Sequence, residues 1–105
     1  MAVVLVVKQG DTFPGVETTL TDSKGAINLT EATSVKFIAK SGSHIIEGNC
    51  TIIEAGKGTV SYPWAEGDTG ITGVYKVEYK ITWKSGGIQS VPNQNYDEIE
   101  IEESL

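Results

Sequence analysis

The chain has 105 residues, of which 39% are hydrophobic and 21% charged, a composition typical of one folded domain and not of a disordered segment. Its net charge is −6, and all eight basic residues are lysine. An acidic chain without arginine is poorly suited to nucleic acid, which proteins bind by neutralising phosphates and reading bases with arginine. No apolar run approaches the ~18 residues of a membrane span. We therefore expect a soluble domain that contacts neither nucleic acid nor membrane.

β-Branched residues dominate the apolar and small polar positions, with 10 Val, 11 Ile and 11 Thr against 4 Leu. These side chains lose rotamer freedom in a helix but pack well on a pleated sheet. Turn signals recur about every eight to twelve residues, which is the spacing of sandwiches and barrels. The sequence predicts a single all-β domain over residues 1–105, an antiparallel β-sandwich of about eight strands.

The strands can be followed in chain order by the alternation of apolar residues. The opening run Ala2–Lys8 is apolar without interruption, which predicts a strand that is buried on both faces or used at an interface. The clearest strand is Gly73–Trp83, where every second residue from Tyr75 onward is apolar. Pro92 lacks an N–H and is expected at a bulge or sheet edge, before a last strand over Tyr96–Glu102. The residues predicted to face the core are Val35, Phe37, Val60, Tyr62, Tyr75, Val77, Tyr79 and Ile81.

Six aromatic residues are expected to build the structural core: Phe37, Tyr62, Trp64, Tyr75, Tyr79 and Trp83. Trp64 and Trp83 would alternatively suit a sugar-stacking pair, because flat aromatic rings bind the apolar faces of sugars. Both tryptophans continue inward-facing alternations, however, and this favours the core.

Residue counts leave little room for catalysis. A Ser-His-Asp triad or a Cys-His pair would have to use His44, the single histidine. Cys50 is the single cysteine and lies six residues further on, about 20 Å away if both lie on one extended strand. Zinc ligands and a calcium-binding loop motif are absent. We predict no catalytic, cofactor-binding or metal-binding residue, and no enzyme.

The two chain ends are the predicted docking edge. Val4 and Val6 belong to a strand more apolar than a half-exposed strand in a monomer needs. Glu98, Glu100 and Glu102 share one face of the last strand and would steer a basic partner. The alternative is that 3–7 forms an ordinary central strand and that the glutamates only keep the fold in solution, with Lys76 and Lys80 across the sheet.

Tyr75 is preceded by a Gly-rich segment that resembles the approach to the tyrosine corner of immunoglobulin-type sandwiches. In that corner a tyrosine near the start of a long strand donates its hydroxyl to upstream backbone. We expect the Tyr75 hydroxyl to find a backbone acceptor or one in the region of Asp68. Val77 stands where a disulfide-bonded immunoglobulin domain would have its second cysteine.

A resemblance covers nearly the whole chain and rests on seven segments in order: Lys8–Pro14, Leu29–Phe37, Tyr62–Trp64, Gly67–Thr69, Gly73–Tyr75, Ser85–Gly87 and Val91–Pro92. Together they resemble the N-terminal domain of the baseplate upper protein of tailed phages. The resemblance implies an immunoglobulin-like module in the host-adhesion device of phages or prophages of Gram-positive bacteria. It also implies other tail and baseplate proteins as partners, and the virion, assembled in the bacterial cytoplasm, as the location.

The function that follows is a non-enzymatic structural module of a phage tail tip or baseplate, monomeric or weakly associating when isolated. The alternative is a cell-surface or adhesin-type sandwich of Gram-positive bacteria, with glycan binding as a further option. Modules of that kind sometimes hold a Lys–Asn isopeptide bond, for which Lys8 and Asn95 are the candidate pair.

Overall fold

The computed structural model describes residues 4–92 and 97–105, and over these residues the chain is all-β with mixed sheets. In chain order the strands are β1 (Val4–Lys8), β2 (Val16–Thr19), β3 (Thr21–Asp22), β4 (Gly25–Ala26), β5 (Ala32–Ser41), β6 (His44–Asn49), β7 (Thr51–Glu54), β8 (Thr59–Tyr62), β9 (Gly73–Trp83), β10 (Ile88–Val91) and β11 (Asp97–Glu102). A single 3₁₀ turn, Ala55–Lys57, joins β7 to β8. In the described ranges no helix is long and apolar enough to cross a membrane.

Strand β9 organises the larger sheet, whose order is β1–β11–β9–β5–β6 with β10 also paired to β9. One side of β9 pairs with β5. Its other side pairs first with β11 over 73–77 and then with β10 over 79–82. A second sheet has the order β2–β8–β7, and β3 and β4 form a small hairpin. Pro92 directly follows β10, whose described partner is β9 alone, in agreement with the expected edge position.

The inward faces of the two larger sheets share one apolar core, an arrangement consistent with a β-sandwich. All eight residues predicted to face inward are buried. The sheets meet where the rings of Phe37 and Tyr62 stack with centroids 4.3 Å apart. The Tyr62 ring also lies against β6, where a Cβ added to Gly48 would come within 2.8 Å of it. Glycine at this position therefore allows the close approach.

Two expectations about the sheets need correction. The described residues form eleven strands, more than the eight expected, because short pairings such as β3–β4 have no periodic signal. The large sheet is also not wholly antiparallel, since β1 runs parallel to β11 with Val4 opposite Glu98 and Lys8 opposite Glu102. Parallel neighbours need a long connection, and here almost the whole chain lies between the two strands.

The hydroxyl of Tyr75 donates a hydrogen bond of 2.8 Å to the backbone carbonyl of Ile71, four residues upstream. The predicted backbone acceptor is thus confirmed. The Asp68 carboxylate has a different donor, the Tyr62 hydroxyl, and also accepts from the backbone N–H of Ala65. The two tyrosines therefore fix the 65–71 segment against the core from two directions.

Tyr75→Phe should lower the free energy of unfolding by about 1 kcal/mol, because the carbonyl of Ile71 loses a partner while the buried ring stays in place. The measurement is the denaturant midpoint at unchanged slope. Tyr79→Phe is the matched control, since it removes a hydroxyl from another buried tyrosine of the same strand. Coincident midpoints for Tyr75→Phe and the parent would show that Tyr75 contributes only apolar packing.

Candidate functional site

The predicted docking edge lies at a real sheet edge, because β1 is the outermost described strand of the large sheet. Over the described Val4–Lys8 the segment is therefore an edge strand and not the central strand of the alternative. Leu5 and Val6 are exposed, which corrects the expectation of burial on both faces. Val6 is 49% exposed on the outer face of the sheet and Leu5 38% exposed on its inner face, while Val7 packs partly against the core. Val4 has its backbone in the ladder, but its side chain lies outside the described part of the structure.

The three glutamates of β11 project from the outer face, where β1 and β9 flank them. Glu98 stands opposite Lys76 on β9, and Glu100 lies between Val74 and Val6. Lys80 is not part of this arrangement, because it pairs in register with Lys36 and Ser90 instead. The cross-sheet pairing expected for Lys76 thus has the right register, and the one expected for Lys80 is wrong.

A salt bridge between Lys8 and Glu102 joins β1 to β11. The ammonium Nζ of Lys8 donates to Oε1 of Glu102 over 2.9 Å. This hydrogen bond and the attraction of the opposite charge raise the pKa of Lys8 and lower that of Glu102. Both groups are open to solvent, so the pair adds little to the stability of the fold.

The tryptophan pair does not form an open platform. Trp64 is buried at 6% exposure, with its ring edge-on to Phe37 and Tyr62. Trp83 ends β9 and is only partly buried, with its Nε1–H donating to the Gln89 side chain over 3.2 Å. Trp64 therefore belongs to the core as predicted, and Trp83 packs against the margin of that core. Neither arrangement offers two parallel rings to a sugar.

His44 begins β6, and Cys50 directly follows the end of that strand. The His44 ring contacts the Tyr75 ring edge-on, with centroids 5.9 Å apart. Cys50 is partly buried against the core, and this burial raises the pKa of its thiol to about 12. A thiol with that pKa is protonated at neutral pH and is a poor nucleophile.

Two further kinds of chemistry, a metal site and an isopeptide bond, would need other residues of the chain. Among the described residues no group of three or more His, Cys, Asp or Glu side chains is placed to hold a metal ion. The ammonium of Lys8, the candidate isopeptide lysine, is hydrogen-bonded to Glu102. Its candidate partner Asn95 lies outside the described residues.

Two surface features were not predicted from the sequence. A shallow groove of about 390 Å³ crosses the outer face of the large sheet and is lined by Ile38, Lys40, Ile45, Glu47, Lys76, Glu78 and Lys80. Alternation along β5 and β9 places five of these residues on the outer face, whereas Ile45 and Glu47 lie on β6. The contact between the three strands depends on strand order, which alternation does not give. The second feature is Phe13, 85% exposed in the loop between β1 and β2. It lies in a loop without periodicity, so nothing in the sequence indicated its exposure.

Comparison with known proteins adds no assignment: no protein-family model and no curated protein matches the chain.

Lys8→Met should bring the pKa of the Glu102 carboxyl back up toward that of an ordinary glutamate, because both the hydrogen bond and the positive charge are lost. Carbon-detected NMR titration of the side-chain carboxyl measures this directly. Lys84→Met, which removes a lysine paired with Glu31 instead, is the control and should leave Glu102 unchanged. The lowered pKa of Glu102 also makes the stability of the fold depend on pH. The pair stabilises the fold above the unfolded pKa of glutamate, and that contribution disappears as the pH falls through the lower folded value.

Cys50 should react slowly with iodoacetamide at pH 8 in the folded protein and at the rate of an ordinary cysteine in denaturant, because its raised pKa suppresses the thiolate. Mass spectrometry of timed samples gives both rates. Equal rates in the two states would contradict the burial of this thiol.

Proposed function

We propose that the chain is a non-enzymatic structural module of a phage or prophage tail tip or baseplate, which attaches to other virion proteins through the edge formed by β1 and β11. The observation that carries the proposal is the position of β1. It is the outermost described strand of the large sheet. On the outer face, its half-exposed Val6 lies beside the three glutamates of the neighbouring β11.

An edge of this kind is suited to protein contact. Monomeric proteins usually protect edge strands with charges, prolines, bulges or short length, because unpaired N–H and C=O groups attract another strand. Over Val4–Val7 the strand β1 contains no charged residue, no proline and no bulge. Lys8 supplies a charge only at the end of the strand. By contrast β7, an edge of the smaller sheet, has a register shift in its pairing and ends in Glu54.

An immunoglobulin-like character for the domain is part of the proposal. It is supported by the hydrogen bond from Tyr75, at the start of the long strand β9, back to the upstream carbonyl of Ile71. The buried Val77 fills the place where such domains often carry a cysteine. These features agree with the resemblance to the baseplate upper protein domain, which supplies the virion location and the kind of partner.

The adhesin-type alternative has less support. Its glycan-binding form depended on Trp64 and Trp83, one of which is buried and the other partly buried. Its isopeptide form depended on Lys8, whose ammonium is engaged with Glu102. The virion module is therefore the proposal that we retain.

Replacing Glu98, Glu100 and Glu102 together by Gln, and separately Val6 by Thr, should reduce assembly of tails that contain the protein. The first change removes the charge that steers a basic partner, an effect that also weakens with added salt. The second replaces an apolar contact by a hydroxyl at the edge. Electron microscopy of particles, scored for complete tail tips, is the measurement.

Ile53→Thr is the matched control, because Ile53 is also 49% exposed but lies on β7 of the other sheet. It should leave assembly unchanged. Normal circular dichroism of all three variants would separate a docking defect from misfolding. If the glutamine and threonine variants both fold and both assemble normally, attachment through β1 and β11 is wrong.

A further inference from the structure

The loop end of the domain, where the 9–15 and 63–72 loops meet the residues after β11, carries a second surface. Phe13 is the most exposed aromatic residue in the described part of the chain, with 85% of its surface open to solvent. Ile71, on the neighbouring loop, is 51% exposed. Large apolar side chains left open at one end of a small domain are typical of an interaction surface.

The loop that carries Phe13 is held in place by hydrogen bonds at residues 9–11, directly before the ring. The buried Thr69 donates its hydroxyl to the carbonyl of Asp11 over 2.7 Å, and its own carbonyl accepts from the N–H of Gly10 over 3.1 Å. The Gln9 side chain donates to the carbonyl of Gly70, and Ser104 donates to the carbonyl of Gln9. An exposed ring on a fixed loop loses little conformational freedom when it binds, and this favours affinity.

Charge distinguishes this end from the rest of the molecule. The segments 9–15, 63–72 and 103–105 contain four acidic residues and no lysine: Asp11, Glu66, Asp68 and Glu103. At the opposite end, the segments 20–31, 55–58 and 84–87 contain three lysines, Lys24, Lys57 and Lys84, beside Asp22 and Glu31. Lys8 directly precedes the first of these segments and its charge acts on the Asp11 carboxylate. Even when Lys8 is counted, the carboxylates of the loop end outnumber its lysines.

We propose that the loop end docks onto a basic surface of another protein, with Phe13 inserted into an apolar pocket of that partner and the acidic residues around it facing lysine or arginine. The carboxylates would repel anionic lipid headgroups and nucleic acid. A ring exposed over 85% of its surface lies in no groove of its own domain, so the pocket belongs to the partner. Buried aromatic anchors surrounded by complementary charge are the usual energetic centres of protein interfaces. This surface adjoins one end of the β1–β11 edge, where Gln9 and Ser104 follow the two strands, but its anchor Phe13 belongs to neither strand.

Site-specific photo-crosslinking in the full chain tests the proposal in cells that make the particle. A benzophenone-bearing phenylalanine replaces Phe13 in one variant and Ile88 in another. Ile88 is 69% exposed on β10, away from the loop end, and serves as the control for exposure. The expected result is a crosslink from position 13 to a single protein, at a peptide that contains lysine or arginine, and no such product from position 88.

The charge requirement is tested in the same crosslinking strain. Asp11→Asn with Glu66→Gln should lower the crosslinked fraction by about tenfold, the scale expected when an interface loses an important contact. Asp22→Asn with Glu31→Gln removes the same charge from the opposite end and should have no effect. Unchanged thermal melting of every variant would show that the loss concerns binding.

A position-13 product that is a glycan, an acidic peptide or the same mixture as from position 88 would overturn the proposal, as would no product at all. The outcome also separates docking by the loop end from the virion function. A basic partner that is not a tail protein would support docking by the loop end and contradict the virion function. Tail assembly that depends on β1 and β11, without a specific crosslink at position 13, would support the virion function and overturn docking by the loop end.

Discussion

The stack of Phe37 on Tyr62 is the contact on which both layers of the domain depend. Phe37 belongs to β5 in the large sheet and Tyr62 ends β8 in the smaller one, so their 4.3 Å separation sets the distance between the sheets at this point. The Tyr62 hydroxyl then extends the contact outward, because it donates to the Asp68 carboxylate in the following loop. Thr69, the next residue, secures the loop that carries Phe13. A packing contact in the core is in this way linked to the shape of a surface loop.

Burial could be predicted wherever apolar and polar residues alternate strictly over several residues of one strand. From Tyr75 to Ile81 every second residue is apolar, and each of them is buried, because a strand with one apolar face has only one way to exclude water. Trp83 continues the alternation but lies at the end of the strand, where the sheet no longer covers it fully. The alternation along a strand thus predicts which face of the sheet a side chain lies on. How deeply that side chain is buried depends on the neighbouring strands, which the alternation does not specify.

The docking edge was predictable only in part. The apolar composition of β1 indicated an unusual strand, but not whether that strand would be central or outermost, because strand order depends on contacts between residues far apart in the chain. The parallel pairing of Val4–Lys8 with β11 joins residues separated by almost the whole chain, and no local signal encodes it. Phe13 was missed for a related reason: loop conformation follows from hydrogen bonds to Thr69 and Gly70, which lie on another loop.

The parallel pairing of β1 with β11 also determines how the domain responds to tension. Because the two strands run in the same direction, residues 4 and 102 lie at opposite ends of their shared ladder. A force that pulls these residues apart along the strand axis loads all the interstrand hydrogen bonds together, in shear, and cannot open them one after another as it would in a hairpin pulled at its open end. The Lys8–Glu102 contact lies at the end where the load enters from β11. The first and last strands thus form a mechanical clamp, a property useful to any module that transmits force between the proteins on either side of it.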